Sequence, residues 1–420
     1  MGRGGKRRKK LKKAILIGIT YHKGFEIEKS LAELGQLVRS IGIDPVATFW
    51  QLLRAPSPSY MGKGKLEKIA SFIGMYGADG VVVDDELSTV QKNRIHEFLK
   101  VEILDRTQII LRAFSTSATT NEGKIEVELA TLEYDLSHLK GSADLSRQGG
   151  GIGTVGPGES KLEMDRRTIK QKISRLHDEL DKISKNKVVK KGKRESSVIP
   201  KISIVGYTNA GKSMLLKALS GFDVKSEDRL FTTLDPITKK VWLGQNLSAL
   251  FSDTVGFISK LPTQLVRAFK STLDEIRDAD LLLLVLDGSD ENIESKYSVS
   301  IDTIQSIGAS SIPVLKIINK IDLCDEGRLS ALSHDHPDAI FISAQKGLYL
   351  EDMVSRIRDE VSKDYVSKEI EVSAYLWSKI STMSGIRILN TVIDGAKVRA
   401  SLLINPAIIS KFMEVEDVLQ

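Results

Sequence analysis

Cysteine, long apolar runs and an apolar N-terminal leader are scarce or absent in this chain of 420 residues. The single cysteine, Cys324, excludes a disulfide framework and a metal site built from several thiolates. The longest apolar run, around Leu281–Leu286, has the length of a strand and is too short to span a membrane. The first residues lack the apolar segment of a secretory signal. We therefore expect a cytoplasmic protein of two to four domains, which the length allows.

Acidic residues are missing from the N-terminus, where residues 1–13 contain eight Lys or Arg side chains and no Asp or Glu. The whole chain has 61 basic and 55 acidic residues, so its net charge of +6 comes from this basic tail. A second basic cluster occupies residues 185–194. Clusters of this kind suit contacts with phosphates and favour an RNA-rich partner, although a contribution to solubility alone is the other interpretation.

Residues Gly206–Ser213 read GYTNAGKS and fit the phosphate-loop pattern G-x-x-x-x-G-K-[ST] at every position. A strand pattern precedes the loop and a helical pattern follows it. Backbone N–H groups of such a loop converge on phosphate oxygens at the N-terminus of the helix. Lys212 would meet the β- and γ-phosphates, and Ser213 would ligate Mg²⁺. The predicted phosphate-binding residues are Gly206, Tyr207, Thr208, Asn209, Ala210, Gly211, Lys212, Ser213 and Met214.

A second motif indicates which base is bound, because residues 319–322 read NKID directly after an apolar run. The Asp322 carboxylate can accept two hydrogen bonds from guanine, whereas adenine would leave it unpaired. Asn319 would bridge the base and the phosphate loop, and the stem of Lys320 would cover the ring. A backbone N–H of Ser343-Ala344 suits the guanine O6. The chain is therefore predicted to bind GTP.

Residues 253–256 form a DxxG segment between these two motifs. Asp253 would hold Mg²⁺, and the Gly256 N–H would sense the γ-phosphate. Upstream, the string LFTTLDP offers hydroxyls that could complete the Mg²⁺ shell, and we favour Thr233 over Thr232. Both segments are expected to order around the γ-phosphate and to relax after hydrolysis. The predicted Mg²⁺ ligands are Ser213, Thr233 and Asp253, and Phe231 and Thr232 complete the predicted nucleotide-binding set.

Phe257 follows Gly256, at the position where many GTPases have a Gln that orients water. A phenyl ring cannot hydrogen-bond to water, so we predict slow intrinsic hydrolysis that another element or a partner completes. No residue of the chain is assigned as catalytic. Asn209 suggests K⁺ beside the phosphates, because some GTPases with Asn at this position use it in that way. A solvated loop side chain is an equal alternative for Asn209.

The flanking segments predict further α/β structure. The expected strands of the N-terminal part are Ala14–Ile19, Gly80–Val83 and Thr107–Leu111, and the expected helices are Ile27–Ser40 and Leu66–Tyr76. The C-terminal part follows a strand, helix, strand, strand pattern over residues 370–372, 373–384, 386–392 and 398–404. The N-terminal part contains no recognisable catalytic constellation.

Two apolar seams with heptad spacing, over residues 125–139 and 169–183, predict an antiparallel helical hairpin. The glycine-rich segment between them, residues 141–158, includes Pro157 and is predicted to lack regular structure. Its length exceeds what a hairpin needs, which favours an RNA-contacting loop over a plain connector. The predicted RNA contacts are Arg147, Gly149, Gly150, Gly151, Gly153, Gly156 and Gly158.

This order of motifs resembles the HflX family of ribosome-associated GTPases over about residues 14–365. The most specific strings are YMGKGKLEKI, SRQGGGIGT, GYTNAGKS and DTVGFISKLPTQLV. The resemblance implies a multidomain α/β protein: an N-terminal α/β subdomain (14–120), a helical hairpin (121–195), a Ras-like P-loop GTPase domain (196–365) and a small C-terminal α/β domain (366–420). The basic tail (1–13) is an addition to the family pattern. The resemblance also implies binding to the large ribosomal subunit, ribosome-stimulated hydrolysis, and dissociation or rescue of stalled ribosomes.

Two other functions stay open at this stage. One is a regulatory GTPase switch that signals to a protein effector without RNA contact. The other is an RNA remodeller driven by ATP or GTP, against which the guanine motif argues. In each case we expect a monomer with Mg²⁺ as its cofactor.

Overall fold

A computed structural model describes residues 11–22, 26–148, 157–192, 198–221, 237–260 and 270–417. The chain forms two compact units, residues 1–182 with 259–269 and residues 183–258 with 270–420. Helices and parallel strands alternate in both units, so the predicted α/β class is confirmed. Within the described residues, no helix is both long and apolar enough to cross a membrane.

A four-stranded parallel sheet organises the N-terminal unit, with strand order β2-β1-β3-β4. Every residue of its inner strand β3 is buried, as expected for a parallel sheet covered on both faces. The strands and helices predicted before residue 100 are confirmed. The elements in chain order are β1 (Lys13–Thr20), α1 (Glu26–Ser40), β2 (Asp44–Leu52), α2 (Lys63–Tyr76), β3 (Gly80–Val83), α3 (Thr89–Leu99), β4 (Glu102–Asp105) and α4 (Arg106–Ser117).

The predicted strand over Thr107–Leu111 is wrong, because these residues lie in helix α4. The Asp105 carboxylate accepts a hydrogen bond from the Gln108 N–H at 2.9 Å, and the Gln108 side chain accepts from the Asp105 N–H. This capping box starts a helix directly after β4. A short buried apolar run does not by itself distinguish a strand from a helix. The helix buries Ile109, Ile110, Ala113 and Phe114.

Two long helices follow, α5 (Asn121–Gln148) and α6 (Pro157–Gly192). The prediction that residues 141–158 lack regular structure is wrong at both ends, since α5 continues to Gln148 and α6 begins at Pro157. Proline suits the first turn of a helix because no intrahelical N–H bond is needed there. An ion pair of 2.5 Å between Glu128 and Lys172 links the two helices.

Buried charges compensate one another at the carboxyl end of the N-terminal sheet. Asp84 directly follows β3, is fully buried, and pairs with Arg106 at 2.7 Å and with Lys260 at 2.8 Å. Arg106 also pairs with Glu33 at 2.6 Å. Burial lowers the pKa of Lys260, but the carboxylates of Asp84 and Asp85 outweigh it and raise the pKa overall. These charges therefore have partners inside their own unit, as buried charges require.

A six-stranded sheet with order β10-β9-β8-β5-β7-β6 organises the second unit. Its strands are parallel except for β6, which runs antiparallel to β7. The elements are β5 (Lys201–Gly206), α7 (Lys212–Ser220), β6 (Ile237–Gly244), β7 (Leu247–Asp253), α8 (Lys270–Arg277), β8 (Leu281–Asp287), α9 (Ile293–Ser306), β9 (Val314–Asn319), α10 (Glu326–Asp335), β10 (Ile340–Phe341) and α11 (Leu350–Val361).

The polar ends of this sheet meet at one edge. Gly206, Asp253, Asp287 and Asn319 are the last residues of β5, β7, β8 and β9, which are parallel strands. The carboxyl ends of parallel strands, near the point where the strand order reverses, are the usual ligand site of such sheets. Strand β5 lies between β8 and β7, so its carboxyl end is at that point.

A three-stranded antiparallel sheet of order β11-β13-β12 closes the chain and confirms the predicted C-terminal pattern. The last helix was not predicted. The turn between β6 and β7 is fixed to this sheet, because the Ile388 N–H donates to the Gln245 carbonyl at 2.9 Å and the Arg387 Nε donates to the Gln245 Oε1 at 2.7 Å. The elements are β11 (Val366–Ser373), α12 (Ala374–Ile380), β12 (Ile386–Asp394), β13 (Lys397–Ile404) and α13 (Ile409–Asp417).

Candidate nucleotide-binding site

The phosphate loop joins β5 to α7 and depends on two glycines. Gly206 has φ 143°, and a Cβ there would lie 2.3 Å from the Val285 carbonyl oxygen. Gly211 has φ 96°, and a Cβ there would lie 2.2 Å from the Asn319 Nδ2. Both the backbone conformation and the space exclude a side chain. The loop consequently brings its backbone close to the N-terminus of α7, where N–H groups and the helix dipole favour an anion.

Lys212 is buried inside this loop. Its Nζ donates hydrogen bonds to the carbonyl oxygens of Gly206 at 3.1 Å and Tyr207 at 2.9 Å. Burial lowers the pKa of the Lys212 amine to about 8, and the nearby Asp253 carboxylate offsets part of this effect. A phosphate beside the amine would favour its charged form, so the loop holds a cation that an anionic ligand stabilises.

Ser213 and Asp253 place two oxygen donors together. The Ser213 Oγ donates to the Asp253 Oδ2 at 2.6 Å, and Asp253 is fully buried. A hydroxyl and a carboxylate are hard oxygen ligands of the kind that Mg²⁺ prefers, so these residues fit the ion. No group of three or more His, Cys, Asp or Glu suited to a metal occurs within the described ranges. Such a cluster is not needed, because Mg²⁺ commonly uses one or two carboxylates together with substrate phosphates.

The segment after Asp253 is attached to the phosphate loop through its backbone. The Phe257 N–H donates to the Gly206 carbonyl at 3.0 Å, and the Thr208 N–H donates to the Phe257 carbonyl at 2.8 Å. Gly256 lies so close to the loop that a Cβ there would be 3.0 Å from the Lys212 Nζ. Phe257 is only 3% exposed. The residue in the position of a water-orienting Gln is therefore buried and has no polar side chain.

Asn319 connects the phosphate loop with the predicted base-binding loop. Its Nδ2 donates to the Ala210 carbonyl at 2.9 Å, and its Oδ1 accepts from the Ala344 N–H at 2.9 Å. The Ser343 N–H donates to the Leu348 carbonyl at 3.2 Å. Both N–H groups that were predicted to suit the guanine O6 thus have protein acceptors in this structure. Asn319 is nearly fully buried, which fixes the relative position of the two loops.

Lys320 and Asp322 lie at the same edge as Asn319. Lys320 has φ 65°, and its Nζ pairs with the Asp287 Oδ2 at 2.7 Å. Asp322 lies in the short 3₁₀ turn that follows and is partly exposed, so its carboxylate remains accessible to a base. The structure therefore brings Asn319 to the phosphate loop and places Lys320 and Asp322 beside it in the chain.

Two further residues shape this edge and were not predicted. Asp287 accepts from Lys320 and from the Ser289 Oγ at 2.6 Å. Arg328 donates to the carbonyl oxygens of Gly288 at 3.1 Å and Asp290 at 2.7 Å. A signal for Asp287 exists in the sequence, because it follows the apolar run 281–286 in the way that Asp253 follows its own strand. Arg328 has no comparable sequence signal.

The remaining predicted site residues fall into three groups: two that the structure describes fully, two in helices where their surroundings are not described, and the rest outside the described residues. Asn209 is exposed in the loop with φ 62°, and Met214 lies in the first turn of α7 and packs against the core of the sheet. Arg147 belongs to α5 and Gly158 to α6, and neither side-chain environment is described. The predicted residues outside the described ranges are Phe231, Thr232, Thr233, Gly149, Gly150, Gly151, Gly153 and Gly156.

Three family descriptions match consecutive parts of the chain. Residues 28–115 match the N-terminal region of a GTP-binding GTPase, and residues 117–194 match the middle region of the same class. Residues 201–320, which contain the phosphate loop and the Asn319 strand, match a 50S ribosome-binding GTPase. In chain order, these matches cover strands β2 to β4, then the long helices α5 and α6, and then strands β5 to β9.

Curated relatives extend the same match over most of the chain. GTPase HflX of Caldanaerobacter subterraneus subsp. tengcongensis is 41% identical over 367 residues, covering 87% of this chain and 83% of the relative. GTPase HflX of Escherichia coli K12 is 35% identical over 353 residues, covering 83% of each chain. A solved structure of a GTP-binding protein from Sulfolobus solfataricus with GDP covers 84% of this chain at 26% identity, with a TM-score of 0.43. On the evidence of its relatives and its site, the chain is a GTP-hydrolysing member of the HflX family.

Proposed function

We propose that this GTPase binds the large ribosomal subunit in its GTP form and that the ribosome completes its catalytic site. The observation that carries the proposal is the buried Phe257 directly after the DxxG segment, since it leaves this position without a group that can orient water. The similarity of residues 201–320 to a 50S ribosome-binding GTPase supports the choice of partner. The basic clusters at 1–13 and 185–194 supply charge for contacts with rRNA.

In this proposal each residue of the site has one task. Lys212 and the phosphate-loop backbone bind the phosphates, and Asn319 and Asp322 bind and select guanine. Ser213 and Asp253 would hold Mg²⁺, together with Thr233 if it joins them. The ion, when bound, neutralises charge that develops on the phosphates. Asn209 is proposed to help hold K⁺, and turnover in Na⁺ would then be slower than turnover in K⁺.

On the ribosome, the helical hairpin and the GTP state would have separate roles. The hairpin and its glycine-rich segment would contact rRNA, and the GTP state would control whether the protein stays bound. The result would be the dissociation or rescue of stalled ribosomes by a cytoplasmic monomer. We further propose the domain boundaries 14–120, 121–195, 196–365 and 366–420.

Co-sedimentation with separated ribosomal subunits tests this function. The full-length protein, loaded with a non-hydrolysable GTP analogue or with GDP, is centrifuged with large or small subunits over a salt series. We expect the GTP-analogue form to pellet with large subunits and to be released by GDP and by added salt. Equal pelleting in both nucleotide states, or none with either subunit, would contradict the proposal and favour a switch that acts on a protein effector.

A further inference from the structure

The outer face of the hairpin formed by β6 and β7 carries an isolated tryptophan. Trp242 is 63% exposed, whereas its neighbours Val241 and Leu243 are buried in the sheet core. Side chains alternate between the two faces of a strand, so Trp242 points away from that core. Its ring stands on a paired strand opposite Ser248 in β7. Little backbone entropy would be lost if a ligand bound there.

Among the described outward side chains of β6 and β7, one is positively charged and none is acidic. The outward side chains on β6 are Thr238, Lys240 and Trp242, and those on β7 are Ser248, Leu250 and Ser252. Lys240 is the one charged member of this set and is exposed. The Thr238 and Ser252 hydroxyls bond to each other at 2.9 Å. Trp242 and Leu250 are the only apolar members of this set, so the set does not form the large contiguous apolar patch that marks many protein docking sites.

A cleft of about 150 Å³ adjoins Trp242 and gives this face depth. One wall is the hairpin, another is the segment 382–385 before β12, and Val198 and Ile199 complete the lining. The two walls are held together, because the Asn246 Nδ2 donates to the carbonyl oxygens of Met383 and Ile386, each at 3.2 Å. The cleft is thus a fixed slot with an aromatic ring at its border and hydroxyl and backbone groups along its sides.

We propose that this face binds single-stranded RNA, with one base stacked on Trp242 at the cleft and a neighbouring phosphate on Lys240. An exposed aromatic ring next to a cation is the usual combination for single-stranded nucleic acid, and stacking accepts any base. The inference rests on the proposed ribosomal function and adds a second RNA contact, separate from the hairpin of α5 and α6. The proposed contact lies on the β6–β7 strand pair, and β7 ends at Asp253, the predicted Mg²⁺ ligand.

The test uses the full-length protein with a fluorescently labelled single-stranded RNA of mixed sequence, and in parallel with purified large subunits. We expect W242A to weaken RNA binding by about tenfold, because one stacked base is lost. W242F keeps an aromatic face and should retain most of the affinity. K240Q should weaken binding less and lower the salt dependence by about one counterion. The RNA should quench tryptophan emission in the wild type, and this quenching should be absent in W242F.

The matched control is Y375A. Tyr375 is also 63% exposed and has a lysine over its ring, with the Lys379 Nζ at 4.6 Å from the ring centroid, but it lies on helix α12 and does not line the cleft. The Y375A variant should bind RNA like the wild type. All the variants should bind GTP normally. Equal RNA affinity of W242A and wild type would overturn the inference. The inference would also be overturned if W242A bound RNA normally and lost only its binding to ribosomal proteins prepared without RNA. The face would then bind protein. Normal binding of the wild type to RNA without any binding to subunits would instead contradict the proposed function and leave this inference standing.

Discussion

The parallel strands of the two larger sheets end in opposite ways at their carboxyl edges. In the second unit, glycines 206 and 211 keep the β5–α7 connection free of side chains, so that the backbone can approach a ligand. In the N-terminal unit, Asp84 at the corresponding edge is held by Arg106 and Lys260. One edge keeps its charge available to an incoming anion, and the other satisfies its charges internally. Sheet topology alone therefore does not identify a ligand site, and the groups in the connections do.

The two edges also differ in how burial affects the pKa of a lysine. Lys212 is buried with carbonyl oxygens around it, and its pKa is lowered to about 8. Lys260 is paired with two carboxylates, and its pKa is raised. A lysine with a lowered pKa gains from binding an anionic ligand, whereas a lysine with a raised pKa already has its partners. The following changes should separate a binding edge from a structural edge.

The largest expected effect on function is that of K212A. Removing the buried amine should lower GTP affinity by at least about 100-fold, since a charged partner of the phosphates is lost. The midpoint of thermal unfolding without nucleotide should not fall, because the buried cation is itself costly. Titration with a fluorescent GTP analogue measures the affinity. A K212A protein that binds the analogue normally would remove the distinction between the two edges.

The largest expected effect on stability is that of R106A. This change leaves Asp84 and Glu33 without their shared cation, and breaking a buried pair of this kind costs about 3–5 kcal/mol. Nucleotide affinity of the folded protein should be unchanged. The matched control is R112A, whose ion pair with Glu102 is solvent-exposed and should contribute at most about 1 kcal/mol. Urea unfolding of both variants gives the comparison, and equal losses would show that Asp84 is satisfied in another way.

A smaller effect is expected from D322N at the base end of the site. An amide donates where the carboxylate accepts, so one or both hydrogen bonds to guanine are lost. We expect GTP affinity to fall between about 10- and 100-fold while ATP affinity changes little. Competition of GTP and ATP against a labelled nucleotide measures both. A variant that keeps the full preference for GTP would show that Asn319 or the 343–344 loop selects the base.

The smallest expected effect is on the pH dependence of binding. Below about pH 8 the free protein already carries a charged Lys212, so GTP affinity should be flat between neutrality and about pH 8. Above that pH the free amine loses its proton, and affinity should fall by up to tenfold per unit, well before an ordinary lysine with a pKa of 10.5 would titrate. The D322N variant retains Lys212 and should show the same decline, whereas K212R should not.

The same lowered pKa sets the sign of the effect on stability. Between the folded pKa of about 8 and the unfolded value of 10.5, the unfolded chain binds more protons at this site than the folded chain. The contribution of Lys212 to the free energy of unfolding should therefore rise with pH across that window. A fall confined to the wild type and absent from K212A would contradict the assignment.

Sequence patterns predicted which residues would meet at the candidate site better than they predicted the elements around it. The phosphate loop, Asp253 and the NKID residues come together because each follows its strand at the same edge of the sheet. The strand predicted over residues 107–111 failed because the capping box at Asp105 and Gln108 outweighs a short apolar run. The boundary at Pro157 failed because a proline that stops one helix can start another.

Other features were beyond sequence reasoning for a physical reason. The charge compensation of Asp84 joins residues 22 and 176 positions apart, and no local pattern encodes such a contact. The exposure of Trp242 depends on the outer position of β6 in the sheet, which the strand order decides. The hydrogen bonds of Arg328 likewise depend on how α10 meets the loop after β8.

The central claim is that the ribosome supplies what the buried Phe257 cannot. The most direct test measures steady-state GTP turnover by the purified full-length protein alone, with large subunits, and with small subunits. We predict slow turnover alone, strong stimulation by large subunits, and little by small subunits. If the protein alone hydrolyses GTP as fast as it does with large subunits, the claim is contradicted.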